Sequence, residues 1–320
     1  MGKPERFSLG VDDFAFLFGI TVAQLPDDCR ALINKFDFGY HYLDSEEKDR
    51  LILRILKRID SPDLPVAGEK GKPRWENGWQ ENLDNFKASN FDVHGLIPKY
   101  IRPNEPIRLH GDYVMPRDSN FELNFYTVYR RWLFRTYLAD AQVIYEFGCG
   151  PAHNLAQLAE LYPEKELHGL EWVSPPQEII RLLHKHYGYN ITGHFFDMFK
   201  PDDNLSVGGN SAFLAIGSLE QLGINFEAFL QFTLRKKPAI FVQVDSISEL
   251  YDENNLSDYL ALKHNFRRNY IRRYLTRLSE LEKEGRIEII KVRRIPCGGL
   301  YYDGYSYIIW RPTPDGQEGN

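Results

Sequence analysis

The sequence has little cysteine. Its 320 residues include three cysteines, Cys29, Cys149 and Cys297, which are far apart and odd in number. This pattern excludes a disulfide framework, and no two of the cysteines have the spacing of a metal-binding pair. We therefore expect no metal site and a reducing compartment, and the predicted location is the cytoplasm.

Long apolar runs and an excess of basic charge are also missing. No stretch approaches the roughly 20 apolar residues that a membrane helix needs, and residues 1–10 hold no apolar run of the signal-peptide type. The chain has 39 Lys and Arg against 45 Asp and Glu, a formal net charge of −6. We expect neither a membrane protein nor a general nucleic-acid binder.

The composition is that of a globular protein rich in aromatic rings. Hydrophobic residues make up 43% and charged residues 26% of the chain, which excludes wholesale disorder. Many of the aromatic residues lie between positions 75 and 137. They indicate either a thick aromatic core, which is the favoured interpretation, or a pocket for a ring-shaped or sugar-like ligand.

The pattern of the chain changes near residue 120. Residues 1–120 are predicted to be helical and irregular, with a strong helix at 46–59 and a linker-like stretch at 61–73. Residues 121–320 begin with a helix at 121–138 and then alternate between strands and helices. Predicted strands span 141–147, 166–171, 192–196, 212–216, 239–245, 286–295 and 305–311, and predicted helices span 154–162, 176–187, 219–234 and 256–284.

This alternation predicts an α/β fold with a Rossmann-like, doubly wound sheet of seven mostly parallel strands. The last two strands have no helix between them, so we expect an antiparallel pair at the sheet edge. Ligands bind at the carboxyl ends of the strands in such sheets. The segment before residue 121 is then expected to cover that site or to form the interface of a homodimer.

The first predicted strand runs into a glycine loop at residues 146–150. Glu146 precedes the glycines, and a carboxylate there would repel a pyrophosphate but suits an amino group or a sulfonium. His153 stands where a dinucleotide-binding motif has its third glycine. Glu171 and Asp197 follow the next two strands, where they can accept hydrogen bonds from ribose hydroxyls and an adenine amine.

The set Glu146-Phe-Gly-Cys-Gly150, then Glu171, then Asp197 on successive strands resembles the class I S-adenosylmethionine-dependent methyltransferases over about residues 121–311. That family's glycine motif usually continues with a small residue and a third glycine, where this chain has Pro151-Ala152. The aromatic N-terminal segment and the ending at 305–312 look most like sugar or other small-molecule methyltransferases. The resemblance implies S-adenosylmethionine as cofactor and a small-molecule acceptor.

The resemblance also assigns roles to residues. Glu146 would hold the cofactor's amino group, directly or through water, the two glycines would face its methionine part, and Glu171 would bind the ribose. Trp172, Asp197 and Met198 would line the adenine end. Structural roles remain open: a turn cap for Glu146, core packing for Trp172 and a helix N-cap for Asp197. The expected cofactor-binding residues are Glu146, Gly148, Gly150, Glu171, Trp172, Asp197, Met198 and Ser218.

Methyl transfer from a sulfonium is a direct displacement, so the protein mainly aligns and desolvates the reactants. A hydroxyl acceptor also benefits from a base. The candidate catalytic residues are Glu220 after the fourth predicted strand, Asp245 at the end of the fifth and His264 on the next helix; Gln221 also faces the expected site, and His153 sits in the glycine loop. The fourth strand lacks the Asn/Asp-Pro-Pro-aromatic signature of methyltransferases that act on DNA or on protein amide and amine nitrogens, which disfavours those substrates.

An arginine-rich stretch follows within the predicted helix at 256–284. Arg268 and Arg272 have i,i+4 spacing on it, and two arginines can grip a phosphate or a carboxylate bidentately. The alternative is a solvated helix face on which these arginines pair with Asp258, Glu280 and Glu282.

The leading interpretation of the whole sequence is O-methylation of a sugar-like or aromatic hydroxyl on a small molecule. One alternative is N- or C-methylation of a small molecule or protein. Another is a non-catalytic partner subunit with the same fold. A nicotinamide-dependent oxidoreductase is disfavoured by Glu146 and by the missing third glycine.

Overall fold

The computed structural model describes residues 5–314; the ends of the two predicted regions, residues 1–4 and 315–320, lie outside the described residues. The α-helices within 5–314 are α1 (Val11–Phe18), α2 (Asp27–Lys35), α3 (Ser45–Ile59), α4 (Lys72–Ala88), α5 (Phe121–Tyr137), α6 (His153–Leu161), α7 (Ser174–Tyr187), α8 (Glu227–Lys236), α9 (Leu256–Arg267) and α10 (Tyr274–Lys283). The strands there are β1 (Phe7–Ser8), β2 (Gly39–Tyr42), β3 (Ile107–Leu109), β4 (Asp112–Pro116), β5 (Val143–Phe147), β6 (Glu166–Glu171), β7 (Ile191–Phe195), β8 (Ser211–Ile216), β9 (Ile240–Val244), β10 (Ile287–Arg293), β11 (Cys297–Gly298) and β12 (Tyr307–Pro312). None of the helices in this part of the chain is long and apolar enough to cross a membrane.

The larger sheet confirms the predicted fold class. Its seven strands within the described residues have the order β10-β12-β9-β8-β5-β6-β7. Strands β5 to β9 pair in parallel, whereas β12 is antiparallel to both of its neighbours, β9 and β10. The prediction of an antiparallel terminal pair at the outer side of the sheet is therefore also confirmed. The parallel strands β5 to β9 all have their carboxyl ends on the same side.

The prediction of a helical and irregular N-terminal region is wrong in part. Strands β1 to β4 and β11 form a second, antiparallel sheet in the order β1-β2-β4-β3-β11. These strands are two to five residues long, which is too short for an alternating hydrophobic pattern to stand out. Strand β11 lies between β10 and β12 in the sequence, so the two sheets share chain across the predicted boundary at residue 120.

Helix α4 also replaces chain that the sequence predicts to be linker and irregular structure. It begins at Lys72, inside the linker-like stretch, and Pro73 lies in its first turn. Proline is tolerated there because the first amides of a helix have no intrahelical acceptor. Pro73, which indicated a linker in the sequence, therefore lies in the first turn of a helix.

Two helices predicted as continuous are broken by residues in the left-handed conformation. Helix α9 ends at Arg267, and Asn269 (φ 55°) and Arg273 (φ 61°) separate it from α10. In the predicted helix at 219–234, Gly223 (φ 61°) separates a short 3₁₀ turn from α8. Asparagine and glycine are the residues that end helices most readily in this way. Arg268 and Arg272 therefore do not share a helix face.

Helices α1 and α5 build an aromatic core beneath the larger sheet. Phe18 stacks on Trp132 with ring centroids 4.4 Å apart, and Phe14 stacks on Phe125 at 5.3 Å. All four side chains are fully buried. The core interpretation of the aromatic segment is confirmed for these rings, and α5 is fixed where its first turns meet the carboxyl edge of the sheet.

Candidate functional site

A cavity lies where the carboxyl ends of β5, β6, β7 and β8 meet the N-terminal region. It encloses about 780 Å³ of space, its opening to solvent included, which is within the range of small-molecule sites. It brings together seven of the eight predicted cofactor-binding residues, all except Glu146. The lining residues are Trp75, Trp79, Pro98, Tyr100, Tyr126, Gly148, Cys149, Gly150, Pro151, His153, Asn154, Glu171, Trp172, Phe196, Asp197, Met198, Phe199, Ile216, Gly217, Ser218, Gln221 and Leu222.

The glycine loop fits tightly between its neighbours. Gly148 and Gly150 have φ values of +67° and +51°, in the left-handed region that favours glycine. A Cβ atom on Gly148 would lie 2.5 Å from the Cβ of Ser218, and one on Gly150 would lie 2.9 Å from the indole of Trp79. The glycines therefore permit the close approach of Ser218, just after β8, on one side and of α4 on the other.

Ala152 takes part in the same loop, immediately before α6. Its φ of +58° is also left-handed, although it carries a side chain. An L-residue other than glycine adopts this conformation at a cost of about 1–2 kcal/mol. Ala152 therefore differs from the third glycine of the resembled motif in its residue type, whereas its backbone has the left-handed conformation that glycine adopts without strain.

Glu171 ends β6 at the cavity wall. Its Oε2 accepts a hydrogen bond from the amide of Gly150 at 3.2 Å, and its Oε1 accepts one from the amide of Trp172 at 2.8 Å. Burial raises the pKa of this carboxyl to about 7. Each carboxylate oxygen has a second lone pair, so Glu171 can still accept hydrogen bonds from two ligand hydroxyls.

The adenine end predicted from the sequence is lined by residues after β6 and β7. The indole of Trp172 lies 5.6 Å from the ring of Phe199, and the Lys72 ammonium lies 5.8 Å from the indole. Asp197 Oδ1 accepts a hydrogen bond from the amide of Phe199 at 2.9 Å. This contact is a local turn, which leaves Asp197 Oδ2 for a ligand donor.

Glu146 lies behind the cavity wall and is 1% exposed. Its Oε1 accepts a hydrogen bond from Asn154, which lines the cavity, at 2.6 Å. Its Oε2 is buried and has no hydrogen-bond partner, and burial raises the pKa of the carboxyl to about 8. Buried polar atoms are rarely unpaired, and this oxygen suits a cationic donor such as an ammonium group.

A polar network joins Glu146 to α5. Asn154 Oδ1 accepts hydrogen bonds from the Tyr126 hydroxyl at 2.8 Å and from Arg130 at 3.0 Å. The Arg130 guanidinium also lies 3.2 Å from His153 Nδ1. Burial and this guanidinium hold the pKa of His153 well below its usual value. The imidazole at the cavity wall is therefore neutral at pH 7.

The three predicted catalytic residues form one buried cluster, but none of them lines the cavity. Glu220 Oε1 accepts hydrogen bonds from Gln221 at 3.1 Å and from the Tyr302 hydroxyl at 3.4 Å, and the Glu220 amide donates to Asp245 Oδ1 at 3.2 Å. The His264 ring stacks on Tyr302 with centroids 5.5 Å apart. Gln221 lies between Glu220 and the cavity, and its Oε1 is buried without a partner.

Burial shifts the titration of all three members of this cluster. It raises the pKa of Glu220 to about 7, although the Arg268 guanidinium lowers it. Burial and the Glu220 carboxyl together hold the pKa of Asp245 well above its usual value. Burial lowers the pKa of His264 to about 4. His264 is therefore neutral at pH 7, and Glu220 is a member of the cluster whose charge can change near that pH.

Sequence reasoning missed Tyr100 and Asn154. Tyr100 lines the cavity, and burial of its phenol raises the pKa of that group well above its usual value. It follows Pro98 in a stretch without periodic hydrophobic residues, so no local pattern marks it. Asn154 follows the glycine loop at the start of α6, and the proximity of that loop to Glu146 was the signal available for it.

The raised carboxyl pKa values predict a loss of stability with rising pH. Folding favours the protonated forms of Glu122, Glu146 and Glu171, whose pKa values rise from 4.5 to about 7, 8 and 7. The buried histidines, whose pKa values are lowered, oppose this fall near pH 6.5, where they are half protonated in the unfolded chain, and add little slope above about pH 7.5. The free energy of unfolding of the unliganded protein should therefore fall between pH 6.5 and 8. Denaturant titrations test this, and a flat or rising profile would contradict it.

Within residues 5–314, no group of three or more His, Cys, Asp and Glu side chains is arranged to hold a metal ion. No known family description matches the chain, and no curated protein matches it.

Several solved structures are similar to this one at low sequence identity. The geranyl diphosphate C-methyltransferase of Streptomyces coelicolor A3(2) is 11% identical and is aligned over 78% of this chain and 99% of its own, with a TM-score of 0.49. Human N-acetylserotonin methyltransferase is 13% identical over 96% and 88%, with a TM-score of 0.44. The [4+2]-cyclase SpnF is 11% identical over 79% and 97%, with a TM-score of 0.49.

The strand order of the larger sheet and its antiparallel β12 agree with the doubly wound sheet and the antiparallel terminal pair that the sequence predicts.

Proposed function

We propose that the protein is an S-adenosylmethionine-dependent methyltransferase that acts on a hydroxyl group of a small molecule. The observation that supports this most is the convergence of seven predicted cofactor-binding residues on one cavity at the carboxyl ends of β5 to β8. The side chains fit that cofactor: Glu171 has free lone pairs for ribose hydroxyls, and Glu146 has an unpartnered oxygen for an ammonium group.

When bound, the cofactor supplies a methyl group on a sulfonium, which is transferred to the acceptor oxygen as the acceptor loses its proton. The aromatic side chains of Trp75, Trp79, Tyr100 and Tyr126 face the same cavity. They provide an apolar wall that excludes water and holds a ring-shaped or sugar-like acceptor. This arrangement supports the covering role predicted for the segment before residue 121.

Gln221, at this wall, and Glu220, behind it, take part in the reaction. Gln221 Oε1, which is unpartnered, accepts the hydrogen bond of the acceptor hydroxyl. Glu220 accepts a hydrogen bond from Gln221 Nε2 and so orients that oxygen, and the proton of the acceptor leaves to the solvent as the carbon–sulfur bond breaks and the carbon–oxygen bond forms. Asp245 and His264 support Glu220 through its backbone amide and through Tyr302. A cytoplasmic location and a homodimer stay predictions.

Substitution of Glu171 by Gln tests the cofactor assignment. Loss of the charged acceptor should weaken the binding of S-adenosylhomocysteine by about 1–3 kcal/mol, as measured by calorimetric titration. Glu166→Gln is the matched control, because Glu166 lies at the amino end of β6, far from the cavity, and is largely exposed. An affinity that is unchanged in Glu171→Gln, or equally reduced in both variants, would defeat the assignment.

A further inference from the structure

Arg74 in α4 and Arg268 just after α9 are two half-buried arginines that form no ion pair with any residue in the part of the chain that the structure describes. Arg74 Nη2 and Arg268 Nε are buried and have no hydrogen-bond partner. Arg268 lowers the pKa of the Glu220 carboxyl, but it does so without an ion pair. A buried N–H group that lacks a partner is costly, and such groups are usually paired.

The two arginines meet where the loop before α4 lies on the turn after α9. The amide of Ala67 donates a hydrogen bond to the carbonyl oxygen of Arg268 at 2.7 Å, and Asn269 Nδ2 donates to the carbonyl oxygen of Ala67 at 3.5 Å. The positive charge of Arg268, together with burial, lowers the pKa of Arg74. Like charges are thus held near each other by a contact between separate segments.

The acids that would neutralise a solvated arginine face have other partners. Asp258 pairs with Arg108 at 2.9 Å and with Arg294 at 2.6 Å. Glu280 pairs with Arg277 at 3.2 Å. Glu282 Oε1 accepts a hydrogen bond from the backbone amide of Ile289 at 2.7 Å. The alternative interpretation of the arginine-rich stretch, in which these three acids neutralise it, is therefore not what the structure shows.

The arginine pair lies next to the acceptor side of the cavity. The Arg74 guanidinium is 5.1 Å from the ring of Trp75, which lines the cavity. The Arg268 guanidinium is 4.9 Å from the ring of Tyr270, whose side chain is hydrogen-bonded to the cavity residue Gln221. Arg74 therefore contacts a residue of the cavity wall directly, and Arg268 is separated from Gln221 by the side chain of Tyr270.

We propose that Arg74 and Arg268 bind an oxyanion group, a phosphate or a carboxylate, that is part of the acceptor molecule. Guanidinium groups donate parallel hydrogen bonds to such anions, and an anion here would supply the missing partners and offset the repulsion between the two arginines. The inference rests on the proposed function, and it narrows the acceptor to a hydroxyl compound that carries a negative charge.

Binding of simple anions to the purified full-length chain tests the site. Inorganic phosphate and acetate are titrated separately, which distinguishes a phosphate site from a carboxylate site. We expect one saturable site for at least one of them. Arg74→Gln and Arg268→Gln should each weaken it by about tenfold or more, the effect expected when a charged hydrogen-bond partner is lost. Arg268→Lys should restore part of the affinity, because it returns the charge without the fork geometry.

Arg273→Gln is the matched control, because it removes the same charge from the same stretch at an exposed position. An equal loss of anion affinity in Arg273→Gln would show that the effect comes from the net charge of the stretch, and it would overturn the proposed anion site. So would the absence of saturable binding of both anions at millimolar concentration.

Titration of the same samples with S-adenosylhomocysteine separates this inference from the proposed function. Binding of the sulfur ligand without binding of either anion would refute the anion site and leave the methyltransferase proposal standing. Binding of an anion without the sulfur ligand would refute the methyltransferase proposal and retain the anion site. In both arms, Arg74→Gln serves as a second variant if Arg268→Gln disturbs the turn after α9.

Discussion

Glu220→Gln is expected to lower kcat for methyl transfer by up to about 10²-fold, the cost of misplacing a group that contacts the reactants. A neutral amide holds Gln221 Nε2 more weakly than a carboxylate does, whereas it retains the size of the side chain. The affinity for S-adenosylhomocysteine should change little, because Glu220 does not line the cavity. The rate is measured as release of S-adenosylhomocysteine with an acceptor found by screening charged hydroxyl compounds.

The pH profile distinguishes this role from a merely structural one. In the unsubstituted protein kcat should rise with pH through the raised pKa of Glu220, well above the ordinary glutamate value of 4.5, and then reach a plateau. The variant should lose that rise. Glu227→Gln, at a half-exposed position on α8, should keep both the rate and the profile. A full rate in Glu220→Gln would remove Glu220 from the reaction.

Glu146→Gln should change how ligand binding depends on pH. Glu146 is protonated at pH 7 in the unliganded protein because burial raises its pKa to about 8. A bound ammonium group would stabilise the carboxylate, so binding of S-adenosylhomocysteine should release about one proton. One released proton raises the affinity by about tenfold per pH unit. We expect this slope between about pH 6 and 7, where a free α-amino group is still charged.

The substitution should abolish that slope and weaken binding by about 1.5–3 kcal/mol at the alkaline end, the contribution of a hydrogen bond to a charged group. Calorimetry in two buffers of different ionisation enthalpy counts the released protons. Glu164→Gln, at an exposed position after α6, should behave like the unsubstituted protein. Proton release that persists in Glu146→Gln would show that Glu146 does not hold the ligand's amino group.

Residues that follow strands in the larger sheet could be placed from the sequence. Glu171 and the glycine loop come directly after strands of clear hydrophobic pattern, and the geometry of a parallel sheet brings such residues to one edge. Glu146 was correctly placed beside the loop, yet its separation from the cavity by Asn154 depends on how α6 leaves the loop. The left-handed conformation of Ala152 sets that departure, and its residue type gives no sign of it.

Other parts of the site depend on contacts between distant segments. Tyr100 and Arg74 reach the cavity region from the N-terminal half, Arg74 through the packing of α4 on α7, for which no local pattern exists. The division of α9 from α10 at Asn269 was open to prediction, because asparagine commonly ends helices. The strongly helical residues on both sides of Asn269 hid this break in the sequence pattern. They therefore also hid the proximity of Arg268 to Arg74.

The central claim is that the cavity binds S-adenosylmethionine. Its most direct test is calorimetric titration of the purified protein with S-adenosylmethionine, S-adenosylhomocysteine and NAD. The account predicts micromolar, one-to-one binding of the two sulfur ligands and no binding of NAD. Binding of NAD alone would contradict it, and so would the failure of all three ligands to bind.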